Sequence, residues 1–361
     1  MVSASRLTLA RKRRGLSLVR LAELTGISTR SLSAYEKGEQ RPGPGRVGVI
    51  AARLGYPTEF FFSGGIEELA PAAVSFRAPS KLPAVRRDAA LSAGRLAMEL
   101  NRWIVERFEL PVPDVPSLDR GDPEHAAEEV RARWGLGAAP VPNMVHLLEA
   151  HGIRVFSLRE CAEVDAFSTV WAGTPYVFLH VAKTGERGRF DAAHELGHLV
   201  LHGEHDAGRE AEREADRFAA AFLMPRASVL AHLPPASSVE QILAGKRIWR
   251  VAAMALAHRL YEVGALSEWL YRTTCIELGK RGFRVGEPDG IARESSQLLY
   301  KVFRALRAER VTAADIAVDL RLPVDEVNGF LFGLIPTAVP GGGEPPADPT
   351  PSRRPRLQLV R

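Results

Sequence analysis

The stretch AHELGHLVLH, residues 193–202, constrains this chain more than any other. It sets His194, Glu195 and His198 in the spacing H-E-x-x-H, with His202 one helical turn further on. Residues four apart on an α-helix share a face, so His194 and His198 can hold one metal ion. Glu195 lies beside them, placed to take a proton from an attacking water. The competing reading is an exposed helix with two unrelated histidines. Leu196, Leu199, Val200 and Leu201 make the segment too apolar for that. The two cysteines, Cys161 and Cys275, form neither a disulfide framework nor a cysteine metal site, so any metal must use histidine and carboxylate.

A catalytic metal needs a third protein ligand and an open position. His202 fails, because eight residues of helix separate it from His194 by about 12 Å of rise. It is read as exposed or as steadying a ligand from behind. An extended motif with glycine and a third histidine also fails, since Leu201 and Glu204 occupy those positions. The next segment, REAEREADRFAAAFLMP (209–225), offers Glu210, Glu212, Glu214 and Asp216. At about 100° per residue, Glu212 falls on the apolar face with Ala215, Ala219, Phe222 and Leu223. Glu210 and Glu214 fall roughly opposite, on the wet side. An inward carboxylate is costly without a partner, so Glu212 is the expected third ligand. Asp216, one turn on, is placed to hold a ligand histidine by its other ring nitrogen. The competing reading of Glu212 is a salt bridge into the core.

Together, RFDAAHELGHLVLH and EREADRFAAAFLMP resemble the ImmA/IrrE family of zinc metallopeptidases across roughly residues 125–235. The resemblance implies a zinc cofactor held by His194, His198 and Glu212, with Glu195 as the catalytic base. It also implies cleavage of a protein repressor, itself a helix-turn-helix protein, that controls stress-response or mobile-element genes. Residues 5–62 resemble a DNA-binding domain of the Cro/lambda-repressor (Xre) type. Four short helices are expected there, with TGIS as the turn between the second and third. Ser17 and Ser28 are the expected caps, and Gly15, Gly26 and Gly38 the stops.

The third helix of this region would read DNA. Thr29, Arg30 and Ser33 point away from Leu32 and Tyr35, toward base edges. Ser28, Lys37 and Arg41 suit phosphates. One position departs from the family pattern: Leu18 stands where a backbone-contacting glutamine is common. Charge supports a polyanion partner at this end only. Residues 1–65 hold eleven Lys/Arg against four Asp/Glu, a surplus of +7, although the whole chain carries only +5.

The remaining organisation follows from pattern. The 361 residues exceed one ordinary core. They divide into the DNA-binding region (1–65), a partly helical connecting segment (66–124), the peptidase region (125–235), a helical region (236–337) and a Pro/Gly-rich tail read as disordered (338–361). Strands are expected at 153–158, 166–173 and 175–181, the last offering an edge to an extended substrate. Tyr176, His180 and Arg189 lie near the motif in sequence and stay unassigned. The fold class is mostly α with a small β-sheet: a zincin-like α+β core between an all-α helix-turn-helix domain and a helical C-terminal region. The start of the chain has no apolar signal core and no run of about 18 apolar residues occurs, so it is read as cytoplasmic, without a membrane span. The expected function is a zinc endopeptidase of gluzincin type, joined to an operator-binding domain; a homodimer is compatible with it. The alternative is a non-catalytic transcription regulator with a zinc-sensing or structural metal site.

Overall fold

The computed structural model describes residues 1–70, 74–77, 83–118, 121–158, 164–180, 182–202 and 208–331. The proposed tail lies outside them. Four helices open the chain: α1 (Ala4–Arg13), α2 (Leu18–Thr25), α3 (Thr29–Glu36) and α4 (Pro44–Leu54). Serine oxygens start three of them, with Ser3 capping α1, Ser17 capping α2 and Ser28 capping α3. Gly26 closes α2 at φ +70°, a left-handed conformation that costs glycine nothing. The turn it makes sets α3 across α2. Leu7, Leu21, Leu32, Val47, Ile50 and Leu54 fill the space between the four helices, each no more than 2% exposed.

After a 3-10 turn (Thr58–Phe62) come β1 (Ser75–Arg77) and the long α5 (Ala84–Val105). Next are α6 (Pro123–Arg133), α7 (Met144–Ala150), β2 (Arg154–Ser157), β3 (Ala166–Trp171) and β4 (Thr174–Leu179). The strands form one sheet in the order β1-β3-β4-β2. β3 and β4 form an antiparallel hairpin, β2 runs parallel to β4, and β1 pairs antiparallel with β3. The last strand before the motif is therefore interior and offers no edge; the expectation of substrate pairing along 175–181 is wrong. Both of its sides are hydrogen-bonded, by β3 and by β2. The burial pattern carries the reason, since five of the six residues of β4 are buried, as in a strand covered on both faces.

Helices α8 (Gly185–Leu201) and α9 (Arg209–Leu223) follow, then α10 (Arg226–His232), α11 (Val239–Trp249), α12 (Ala253–Glu262), α13 (Glu268–Lys280), α14 (Gln297–Ala308), α15 (Ala313–Leu320) and α16 (Val324–Leu331). The architecture is mostly α with a small sheet, as the pattern predicts. One continuous apolar core runs from Leu7 to Leu331.

The segment read as a connection is structurally central. Helix α5 packs against α1 on one side and against the sheet on another. Its middle is rich in alanine, and Ala89, Ala90, Ala93, Leu96, Ala97 and Leu100 are all buried. At Gly94 the approach is so close that an added Cβ would lie 2.8 Å from Phe167 Cζ. A second tie between N-terminal helices and the rest is electrostatic. Glu326 on α16 is 2% exposed and accepts from Arg13 Nε at 2.9 Å and Arg14 Nη1 at 2.8 Å. Arg11 pairs with Glu36 at 2.6 Å and Lys12 with Glu68 at 2.5 Å. The basic run 11–14 is thus spent within the protein, and the surplus charge offered to a partner is smaller than composition indicates.

Gly94→Val would drive α5 off the sheet. Overpacking of this kind costs roughly 1–3 kcal/mol. Urea unfolding of the full chain should show a stability loss on that scale.

Candidate metal centre

Helix α8 lies under β3 and β4 and is capped by Thr184, whose side chain accepts from Arg187 N at 3.3 Å. Its motif residues are fully enclosed: His194 and Glu195 are 0% exposed and His198 is 2% exposed. Helix α9 is its closest helical neighbour. The contact is set by Gly197, where a Cβ would meet Phe218 Cδ1 at 3.1 Å and Ala215 Cα at 3.2 Å. Because α9 can come so near, Glu212 reaches both histidines.

Glu212 Oε2 lies 3.4 Å from His194 Nε2, and Oε1 lies 3.3 Å from His198 Nε2. The two histidine Nε2 atoms are 3.0 Å apart. Among the described residues, this trio is the group of His, Cys, Asp and Glu side chains whose ligand atoms converge, all within 4.8 Å of one another. Asp216 Oδ1 sits 2.9 Å from His194 Nδ1, with its side chain 52% exposed. Glu210 and Arg213 pair with each other on the exposed side.

His202 departs from half of its expectation. It is buried, and its Nδ1 lies 3.0 Å from His198 Nδ1 while its Nε2 lies 2.8 Å from Glu214 Oε2. Glu214 therefore turns back from the side that phase assigned to it. Phase fixes where a Cβ points; a glutamate carboxylate two bonds beyond can still swing inward.

These partners dictate ring protonation. A carboxylate accepts, so His202 Nε2–H donates to Glu214 and leaves Nδ1 to accept. His198 must then donate through Nδ1–H, which turns its Nε2 lone pair toward Glu212. By the same logic Asp216 takes the Nδ1–H of His194 and directs its Nε2 lone pair inward. Burial pushes His198 down to about 4, against the opposing pull of Glu212, so the ring is neutral at neutral pH. Burial would raise the Glu212 carboxyl; hydrogen bonds from His194 and His198 outweigh it and hold the group at about 2, but only while a ring N–H is turned toward it. At neutral pH the site is an ionised carboxylate facing two imidazole lone pairs. Such a set repels itself unless a cation or an extra proton sits among its members, so the donors fit a divalent metal ion.

Glu195 does not join this trio. Its Oε2 accepts a hydrogen bond from Ser168 Oγ on β3 at 2.6 Å. Sequence reading missed Ser168; the available signal was a small polar residue beside Phe167 in the strand-like run AFSTVW. Of the three unassigned residues, Tyr176 accepts from Asn101 at 2.9 Å and Arg189 is committed to Glu294 and the Val141 carbonyl, while His180 is buried.

At the other end of the chain, Ser28, Thr29, Arg30, Lys37 and Arg41 are exposed, Ser33 is half-buried, and Leu32 and Tyr35 face the core. Five of the six expected readers are thus exposed, at α3 and the loop that follows it. Ser28 already uses its oxygen to cap α3, accepting from Ser31 N at 3.2 Å. Leu18, at the departing position, packs partly buried against the core.

Residues 7–61 match the helix-turn-helix family model, and residues 148–261 match the peptidase family model described as the IrrE N-terminal-like domain. The chain is a helix-turn-helix domain fused to an ImmA/IrrE-like peptidase domain. The second match extends past the resembling stretch, through α12. No curated protein matches the chain. Among the described residues, no helix is long and apolar enough to cross a membrane.

Gly197→Val would wedge α9 away from α8 and part Glu212 from the histidines. Metal affinity should fall by at least tenfold while circular dichroism stays helical. Competition against a chelating dye gives the affinity.

Proposed function

We propose that this chain is a zinc-dependent endopeptidase that also binds DNA, and that it cleaves a transcriptional repressor. The observation that carries the reading is the convergence of His194, His198 and Glu212. Ligand atoms held tetrahedrally at about 2.0–2.1 Å from zinc lie about 3.3–3.4 Å from each other. The separations of 3.0, 3.3 and 3.4 Å are close to that figure. A bound zinc ion supplies Lewis acidity, polarising a peptide carbonyl and making water nucleophilic at neutral pH.

Everything else is the work of the chain. Glu195 accepts the proton of the attacking water on its carboxylate and later delivers it to the leaving amine. Ser168 holds that carboxylate in plane by its hydrogen bond to Oε2. Asp216 fixes His194, and the Glu214–His202 pair fixes His198, so that both Nε2 atoms stay turned toward Glu212, the set that would hold a metal. Glu195 favours catalysis over a purely structural site, which has no use for a buried carboxylate beside the ligands. The helix-turn-helix match and the outward α3 support operator binding through Thr29, Arg30 and Ser33, with Ser28, Lys37 and Arg41 on phosphates. The choice of a repressor as substrate, a stress or mobile-element role and a cytoplasmic site of action rest on the resemblance to the family.

His194→Ala, His198→Ala and Glu212→Ala should each empty the site by metal analysis, whereas His202→Ala and Glu214→Ala should weaken binding about 10–100-fold without abolishing it. Glu195→Gln should keep the metal and lose at least about 10² in cleavage rate. The assay is digestion of helix-turn-helix repressors encoded beside this gene, with and without chelator. Cleavage that survives both the variant and the chelator would remove the zinc chemistry.

In the full chain, Arg30→Ala should relax sequence preference, because a base-edge contact discriminates by about 1–3 kcal/mol. Arg41→Ala should weaken all sequences alike and flatten the salt dependence by about one unit. Titrations over a range of salt, on matched and scrambled duplexes, separate these effects.

A further inference from the structure

A polar cleft of about 450 Å³ opens between the N-terminal helices, α5 and the turn joining α15 to α16. Four arginines line it: Arg6 from α1, Arg95 and Arg102 from α5, and Arg321 after α15. Glu99 faces them and is fully engaged, with Arg95 Nη1 on one oxygen and Arg102 Nη2 on the other, each at 2.8 Å. The remaining carboxylate, Asp319, is drawn to the far rim by Trp103 Nε1 at 2.9 Å and Arg107 at 3.5 Å. Arg6 and Arg321 have neutral partners instead. Arg6 Nε donates to the Gly64 carbonyl at 2.7 Å, and its guanidinium lies over the Phe60 ring at 4.8 Å. Arg321 Nη1 donates to Ser63 Oγ at 2.9 Å. Neither forms an ion pair with a carboxylate among the described residues.

Arg6 is only 9% exposed. A cation so enclosed is stabilised by an anion, and this one has three more guanidiniums for neighbours. Burial and that crowding pull its pKa down, with Glu99 alone resisting strongly. We propose that this cleft binds the phosphate group of a small molecule. Its volume lies in the range of small-molecule sites. Its charge is in surplus by two, which a phosphate dianion balances and a single carboxylate does not. Guanidinium forks from two directions match a tetrahedral oxyanion. The ligand would touch the DNA-binding helices through Arg6 and Ser63, and the α5 wall of the peptidase sheet through Arg95 and Arg102.

The test is calorimetric titration of the full-length protein with pyrophosphate at low ionic strength, with citrate as the carboxylate arm. One saturable site per chain is expected, with citrate the weaker ligand. Arg6→Gln and Arg321→Gln should each weaken pyrophosphate at least tenfold, while Arg272→Ala, on the exposed face of α13, leaves it unchanged. Arg321 is exposed and makes few contacts, so its variant decides the matter even where Arg6→Gln disturbs folding. Absence of a saturable site, citrate binding as tightly as pyrophosphate, or an Arg321→Gln titration matching the parent would overturn the proposal.

Discussion

The close crossing of α8 and α9 is the contact on which the site depends. Two helices ordinarily pack 8–10 Å apart, a spacing set by the side chains between them. Gly197 removes one of those side chains, and Phe218 and the backbone of Ala215 fill the space it leaves. The carboxylate of Glu212 then falls within 3.4 Å of both imidazoles, although α9 belongs to a separate stretch of chain. The two histidines come from one helix and need only its four-residue spacing. The third donor needs the tertiary contact, and so the site exists only when α8 and α9 are docked.

Around the donors stand three supports, each from a different place. Asp216 comes from α9 itself, Ser168 from β3, and the Glu214–His202 pair from the first half of α9 and the C-terminal cap of α8. Of the ionisable groups in this cluster, His194, His198, His202 and Glu195 are each held by a hydrogen bond to a neighbouring side chain. The arrangement leaves little freedom for ring flips. Preorganisation of this kind is where a metal site gains affinity beyond its ligand count.

What could be read in advance divides along physical lines. The helix-turn-helix and the H-E-x-x-H helix follow from local rules: capping serines, stop glycines and 100° steps. Glu212 reaches the histidines but stays half-buried, its side chain 38% exposed against 25% for Glu214, so phase alone does not rank the two. Ser168 was hidden because its role depends on β3 crossing above Glu195, which no local pattern encodes. His202 and Glu214 were misplaced in part because phase locates a Cβ and not the end of a long side chain. The interior place of β4 depends on β2, which pairs with it from before the hairpin. β1 was missed altogether, at three residues being too short for any period to show. The charge count overstated the DNA-binding surface, since Arg11, Lys12, Arg13 and Arg14 all find carboxylates inside the protein.

Helix α5 has one consequence for how the chain is held together. It is a wall of two compartments at once, lying against α1 and against the aromatic face of the sheet. Removing either neighbour would strand an alanine-rich face in water, a loss that falls on both sides of the helix. The two functional ends are therefore coupled through a shared partner, and heat or denaturant should dissolve them in one cooperative transition rather than two. Such a chain behaves less like beads on a string than like a single body with two tools. A protease nick or a deletion that spares both tools but cuts the helix would cost both.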